Sequence, residues 1–190
     1  MTTQVIDEIY ALFAVAGDEH YGENATQIQH ALQVAELVRQ AGGDSPLIAA
    51  GLLHDVGQLI GDAGHAAERH GIDMRHEMLG NTLLKAHFPP AVTEPVRLHV
   101  DAKRYLCAIE PGYQTSLSAA SWLSLTLQGG AMTAKERATF EAEPYFAEAV
   151  LLRRCDDGGK RKDWVVPTLD SYRPLLERLV GSGYDTRAAR

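Results

Sequence analysis

His30, the adjacent pair His54-Asp55, His76 and His99, together with Asp156 far downstream, are all side chains able to ligate a metal. A His-Asp dipeptide alone proves little. With 8 His and 12 Asp among 190 residues, chance supplies one in roughly half of such chains. The flanking ligands carry the inference, because six such side chains together could hold two metal ions. Imidazole and carboxylate suit Fe, Mn, Zn or Co, whereas a thiolate-rich set would point to Zn or an iron-sulfur cluster. Cys107 and Cys155 are not needed for this chemistry. They are too few for a disulfide framework and lack metal-ribbon spacing, so they read as free thiols of a reducing cytoplasm.

These residues must be positioned by helices. Helical periodicity dominates the chain and strand-like alternation is rare, which predicts an all-α fold. At this length a single domain over 1–190 is expected, large enough to bury a core without staples, with about 181–190 as a frayed tail. A net charge of −7 and a pI near 5.6 argue against a nucleic-acid binder, which needs a basic face to displace counterions. An anionic small molecule would therefore need a local positive site. No stretch reads as a signal peptide or a membrane span, so a cytoplasmic protein is expected.

Val5, Ile9, Leu12 and Phe13 recur at helical spacing up to Gly17. His20-Tyr21-Gly22-Glu23 is then a polar loop of the kind that carries binding groups. Asn24 with Gln27 resembles a capping box for a helix bearing His30 and closing at Gly42-Gly43. Ser45-Pro46 reads as a helix start, and Leu47 to Leu53 is almost wholly apolar, so that helix should be buried with His54-Asp55 at its inner end. Burying an ionised Asp without a cation is costly, and metal ligation resolves the cost.

Gly57, Gly61 and Gly64 break the pattern into a polar stretch through Gly71. A helix from about Met74 to His87 carries His76 in its first turn, and Pro89-Pro90 opens another in which His99 and Lys103, four residues apart, share a face. Ser116 is a candidate cap for a helix through Leu127 that bears Ser118, Ser121 and Trp122. Thr133 with Glu136 matches a capping box, the helix after Pro144 reaches Arg153 and Asp156, and a last helix starts near Asp170. His65, His70 and His87 have no such relation to the buried elements, and the loop position of His20 suits a role on the substrate side or behind the metal ligands.

The order His, His-Asp, His, His, Asp resembles the HD-domain superfamily, a helical fold of metal-dependent phosphohydrolases and oxygenases. His99-Val-Asp-Ala-Lys103-Arg-Tyr-Leu106 is similar to the histidine-to-lysine helix of its mixed-valence diiron oxygenases. Gly22-Glu23, the segment from Ser118 to Gly130 with its Gln128-Gly-Gly, Met132, and the segment from Arg153 to Lys160 extend the likeness to the phosphonate-cleaving dioxygenases over nearly the whole chain.

The resemblance implies an HD-type helical bundle with a dinuclear metal centre in its core. It implies that His30, His54, Asp55 and Asp156 hold one iron and His76 and His99 the other, with Asp55 bridging an Fe(II)/Fe(III) pair and O2 as co-substrate. It also implies a small organophosphonate substrate, met by Lys103, Ser121, Ser124 and Arg153 at the phosphonate end and by Glu23 at a nitrogen end. Lys is a suitable point charge for a phosphonate, and hydroxyls add directional hydrogen bonds. Two departures bear on substrate detail: Gln58 stands where the amine-substrate relative has a second His, and Tyr21 stands one place nearer to Glu23.

The implied reaction is oxidative cleavage of the carbon–phosphorus bond of a 1-hydroxy-2-ammonioethylphosphonate. Tyr21 and Trp122 offer aromatic faces for a quaternary ammonium, which favours the trimethylammonium substrate and a glycine betaine product over the primary amine and glycine. The rival readings are an HD phosphohydrolase, separable by its indifference to oxygen, and a non-enzymatic HD module, separable by metal content.

Overall fold

The computed structural model describes residues 4–20, 24–61, 63–65 and 70–181; Tyr21 and Glu23 lie outside the described residues. These contain ten α-helices, two 3-10 turns and no strand, so the fold is all-α. In chain order the helices are α1 (Gln4–Ala16), α2 (Gln27–Gln40), α3 (Ser45–Leu53), α4 (His76–Leu84) and α5 (Pro90–Ile109). They continue with α6 (Tyr113–Ser116), α7 (Ala119–Leu127), α8 (Ala134–Glu141), α9 (Phe146–Gly158) and α10 (Leu169–Leu179). Among the described residues no helix is long and apolar enough to cross a membrane.

The 20-residue α5 is the axis of the bundle, and α3, α4 and α9 pack against it. Its residues serve three faces. Val92 and Val96 join the main core with Leu52 and Leu53 of α3 and Leu152 of α9. Leu98, Ala102 and Leu106 face a second apolar cluster that contains Phe140. His99 and Lys103 occupy the remaining buried face, four residues apart and so one above the other. α3 is buried almost all round, as its unbroken apolar run predicts, and it ends at His54.

Several helix starts differ from the sequence expectation by one or two residues. The capping box of α2 is formed by Thr26 and Gln29 rather than by Asn24 and Gln27. α3 is capped by Asp44, whose carboxylate accepts from the Leu47 N–H at 2.9 Å, not by Ser45. α7 is capped by Ser118, because residues 113–116 form their own short helix and Ser116 lies inside it. Closely spaced polar residues offer the same capping chemistry, and packing of the helix selects among them. α4 begins at His76 rather than near Met74, since Arg75 is left-handed (φ 51°) and cannot belong to the helix. The Thr133–Glu136 box forms as expected.

Candidate metal centre and its cavity

Three histidines have one ring nitrogen fixed by a backbone carbonyl. His30 Nδ1 is 2.8 Å from Gly159 O, His54 Nδ1 is 2.9 Å from Gly51 O, and His99 Nδ1 is 2.7 Å from Val96 O. A carbonyl can only accept, so Nδ1 carries a proton, and the tautomer that can ligate a metal is the one with a bare Nε2. Those Nε2 atoms converge. His30 and His54 Nε2 are 3.2 Å apart, and His76 and His99 Nε2 are 3.1 Å apart.

Asp55 joins the two pairs. Its Oδ2 lies 3.6 Å from His30 Nε2 and 3.5 Å from His54 Nε2, while Oδ1 lies 3.2 Å from His76 Nε2 and 3.6 Å from His99 Nε2. Asp156 Oδ1 adds a second carboxylate, 3.3 Å from His30 Nε2. Two overlapping donor groups result: His30, His54 and Asp55, and Asp55, His76 and His99. Ligands about 2.0–2.1 Å from one ion subtend donor–donor distances of about 3 Å, so the observed spacing fits a metal in each group.

The electrostatics agree. Burial pushes the His54 imidazole down to about 4, leaving it neutral. Burial alone would raise both aspartates. Instead His54 with His76 and His99 holds the Asp55 carboxyl well below the usual range, and Arg153 with His30 does so for Asp156. Burial likewise lowers His30 and His76, but Asp156 and Asp55 respectively more than offset it and keep both raised. The cluster therefore demands positive charge, which a metal ion supplies in place of those protons.

Close backbone approach makes this geometry possible at two glycines. A Cβ on Gly57 would sit 2.0 Å from His76 O and 2.7 Å from Gly80 N, so only glycine lets α4 dock against the turn carrying Asp55. At Gly159, whose carbonyl holds His30, a Cβ would meet Val34 Cγ2 at 2.5 Å.

The donor groups open onto a cavity of about 280 Å³, which has His30, Asp55, His76, His99 and Asp156 on its wall. Lys103 is in it, 3% exposed, with Nζ donating to Ser124 Oγ at 2.8 Å. Burial, helped by Arg153, pushes the Lys103 ammonium down to about 7. Ser121 also lines the cavity, and its hydroxyl accepts from Lys160 Nζ at 2.9 Å. Gln58 faces the same space from the turn after Asp55. Arg153 reaches it too, but its guanidinium is engaged by Asp156 at 2.6 Å, by Asp157 and by the Tyr113 hydroxyl, which makes it a brace for Asp156.

Some sequence candidates fall elsewhere. Trp122, on the same helix as Ser121, is 50% exposed and does not line the cavity, so it offers no aromatic face there. His65, His70 and His87 take no part in the donor groups. Lys160, which no motif in the sequence singles out for a role, also lines the cavity.

Comparison with known proteins places this geometry in a family. The family model for the HD domain matches residues 28–156, which begin just before His30 and end at Asp156. Hydroxymethylphosphonate dioxygenase of Gimesia maris is 43% identical over 174 residues, covering 90% of this chain and 86% of the relative. The glycine-betaine-forming [1-hydroxy-2-(trimethylamino)ethyl]phosphonate dioxygenase of Leisingera caerulea is 40% identical over 93% of this chain and 90% of its own length. An uncharacterized protein of Acanthamoeba polyphaga mimivirus is 33% identical over 84% of this chain and 74% of its own. The chain belongs to the HD-domain family and, within it, to the dioxygenase branch that the Gimesia and Leisingera proteins represent.

Proposed function

We propose that the enzyme uses two irons and O2 to cleave the carbon–phosphorus bond of a 1-hydroxyphosphonate, giving phosphate and a carboxylate. His30, His54, Asp55 and Asp156 would hold one iron and His76 and His99 the other, with Asp55 shared. The observation that carries this reading is the joining of two donor groups through one carboxylate beside a cavity containing a buried lysine. An iron pair bound there would supply activation of O2 for oxidation at C1. The atoms balance without a further reductant: R–CH(OH)–PO3H2 plus O2 gives R–COOH plus H3PO4, so no nicotinamide or flavin is required.

The protein's own side chains bind and orient the substrate. Lys103 brings its charge to the phosphonate, and the Ser124 and Ser121 hydroxyls direct the oxygens through hydrogen bonds. Arg153 holds Asp156 in place and adds positive charge behind it. Gln58 faces the substrate from the Asp55 side. Glu23 and Tyr21 are assigned to the substrate's nitrogen end.

For the head group we take (R)-1-hydroxy-2-(trimethylammonio)ethylphosphonate as the preferred substrate. Ile72, Asp73 and Met74 also line the cavity, and they combine apolar surface with a carboxylate and so suit a quaternary ammonium. Hydroxymethylphosphonate has nothing beyond C1 to fill that space, although the 43% identity to the Gimesia protein makes it the second candidate.

The test is anaerobic Fe(II) loading followed by phosphate release from these two compounds and from 2-amino-1-hydroxyethylphosphonate, with and without O2. Oxygen-dependent, equimolar release from a hydroxyphosphonate is expected, fastest with the trimethylammonium compound. Faster turnover of either other compound rejects the head-group assignment alone. Oxygen-independent release from phosphate esters, with none from phosphonates, rejects the oxygenase substrate altogether.

A further inference from the structure

His76 differs from the other three histidines of the centre. His30, His54 and His99 each have Nδ1 fixed by a backbone carbonyl. His76 Nδ1 instead faces a carboxylate oxygen, Glu77 Oε2, at 3.9 Å. That is roughly 0.7 Å beyond hydrogen-bond range. Glu77 is 8% exposed, and its Oε2 is buried without any hydrogen-bond partner. The other oxygen, Oε1, is 4.0 Å from the Arg75 side chain, which is 70% exposed. A buried acceptor with nothing to accept is costly, and few native structures retain one without a use for it.

We propose that Glu77 is a positioning residue for the metal centre: it accepts the Nδ1–H of His76 when a metal occupies the Asp55–His76–His99 group. A small turn of the imidazole closes the gap and gives Oε2 its missing donor. The bond fixes His76 in the Nδ1–H tautomer, with Nε2 directed at the metal, as backbone carbonyls do for the other three. It differs from them in kind, because a carboxylate partner makes the imidazole a stronger electron donor than a peptide carbonyl does. The two metal positions are then unequal by construction: His30 and His54 are both backed by neutral carbonyls, whereas the second position has one carbonyl-backed and one carboxylate-backed histidine. Such inequality suits a pair of ions held in different charge states. The inference rests on the ligand assignment proposed above.

The experiment titrates chelator-stripped protein anaerobically with Co(II), following heat and visible absorption, for the unaltered chain, Glu77→Ala, Glu77→Gln and His76→Ala. Outer ligands of this kind typically change metal affinity 10–100-fold. Glu77→Ala is expected to weaken one binding step at least roughly tenfold and to shift the absorption bands of that step. The other step should stay unchanged, and the melting temperature of the metal-free protein should not fall. Glu77→Gln, which keeps an acceptor oxygen but not the charge, should restore part of the affinity. Equal affinities in Glu77→Ala and the unaltered protein overturn the proposal. So does a loss shared by both steps together with a lower metal-free melting temperature, since that marks a merely structural role. If His76→Ala leaves both steps intact, the ligand assignment itself fails and this inference falls with it.

Discussion

The His30–His54–Asp156 half of the centre is carried by helices whose other faces form the main core, whereas the His76 side hangs on a nine-residue helix that starts from a left-handed arginine. α2, which bears His30, begins with a complete capping box and contributes Val34, Ala35 and Val38 to the core. α3, which ends at His54, is apolar nearly throughout. α4 has no side-chain cap, and its place depends on the close approach of Gly57 and Gly80. The first half is thus held by burial, whereas the His76 ligand of the second is held by local geometry and only its His99 by the central helix. Losses that spread through the core should affect both metals, while losses confined to α4 should affect one.

The largest expected effect belongs to Asp55, the group that faces both halves. Asp55→Ala should empty both positions and abolish activity, while His76→Ala should deplete mainly the second. Elemental analysis of the purified variants reads this directly, and two metals retained in Asp55→Ala would sink the bridging assignment. Metal loss should also lower the melting temperature, because a ligand bound only by the folded chain stabilises it by mass action.

Lys103→Ala should leave metal content unchanged and weaken substrate binding. A buried charge-assisted hydrogen bond is worth roughly 1.5 to 3 kcal/mol, or about one to two decades in affinity. pH sharpens the test. The ammonium is held at about 7 rather than its usual 10.5, so it is charged below that value and neutral above. Substrate affinity of the unaltered enzyme should therefore fall as pH rises through about 7. Lys103→Arg, with a guanidinium that keeps its proton, should flatten that profile. Folding stability has the opposite sign. Between about 7 and 10.5 the unfolded chain binds a proton that the folded chain does not, so this group makes stability rise with pH across that window.

Glycine substitutions separate the halves. In Gly57→Ala the new methyl meets backbone atoms of α4 that cannot rotate away, so the helix must shift. Overpacking of this kind costs typically about 1–3 kcal/mol. The second metal should weaken while the first is retained. Gly159→Ala meets a Val34 methyl and lies 3.3 Å from His30 Nδ1, so its damage should fall on the first metal. Identical metal losses in the two variants would remove the distinction between the halves.

Buried helix faces were the more legible in the sequence, and physics explains why. An apolar run that ends in His-Asp has one reasonable place, and the four-residue spacing of His99 and Lys103 sets a common face on any helix. Positions governed by tertiary packing were less legible. Thr26 and Ser118 took the caps expected of Asn24 and Ser116 because neighbouring polar residues offer equal chemistry. Glu77 looks like an ordinary first-turn acid, favoured there by the helix dipole, until its buried oxygen is seen to lack a partner. Trp122, read as an aromatic wall, shares a helix with Ser121 but points elsewhere, since adjacent helical residues are about a quarter-turn apart.

The smallest effects concern how the two helices begin. Removing the Thr26 hydroxyl deletes one member of the α2 capping box, so Thr26→Ala should cost about 1 kcal/mol, which lowers the melting temperature by about 2–4 °C for a chain of this size. Metal affinity should hardly change, because His30 is fixed by Gly159 and by core packing rather than by the cap. At α4 the sign reverses. Arg75 occupies the left-handed region at a cost of roughly 1–2 kcal/mol that glycine avoids, while glycine's greater freedom in the unfolded chain returns part of that gain. The Arg75–Glu77 ion pair spans 4.0 Å and its arginine is exposed, so removing it matters little. Arg75→Gly should therefore raise the melting temperature slightly and leave the first metal untouched. A drop larger than that of Thr26→Ala would mean that the arginine side chain, rather than backbone geometry, organises the start of α4.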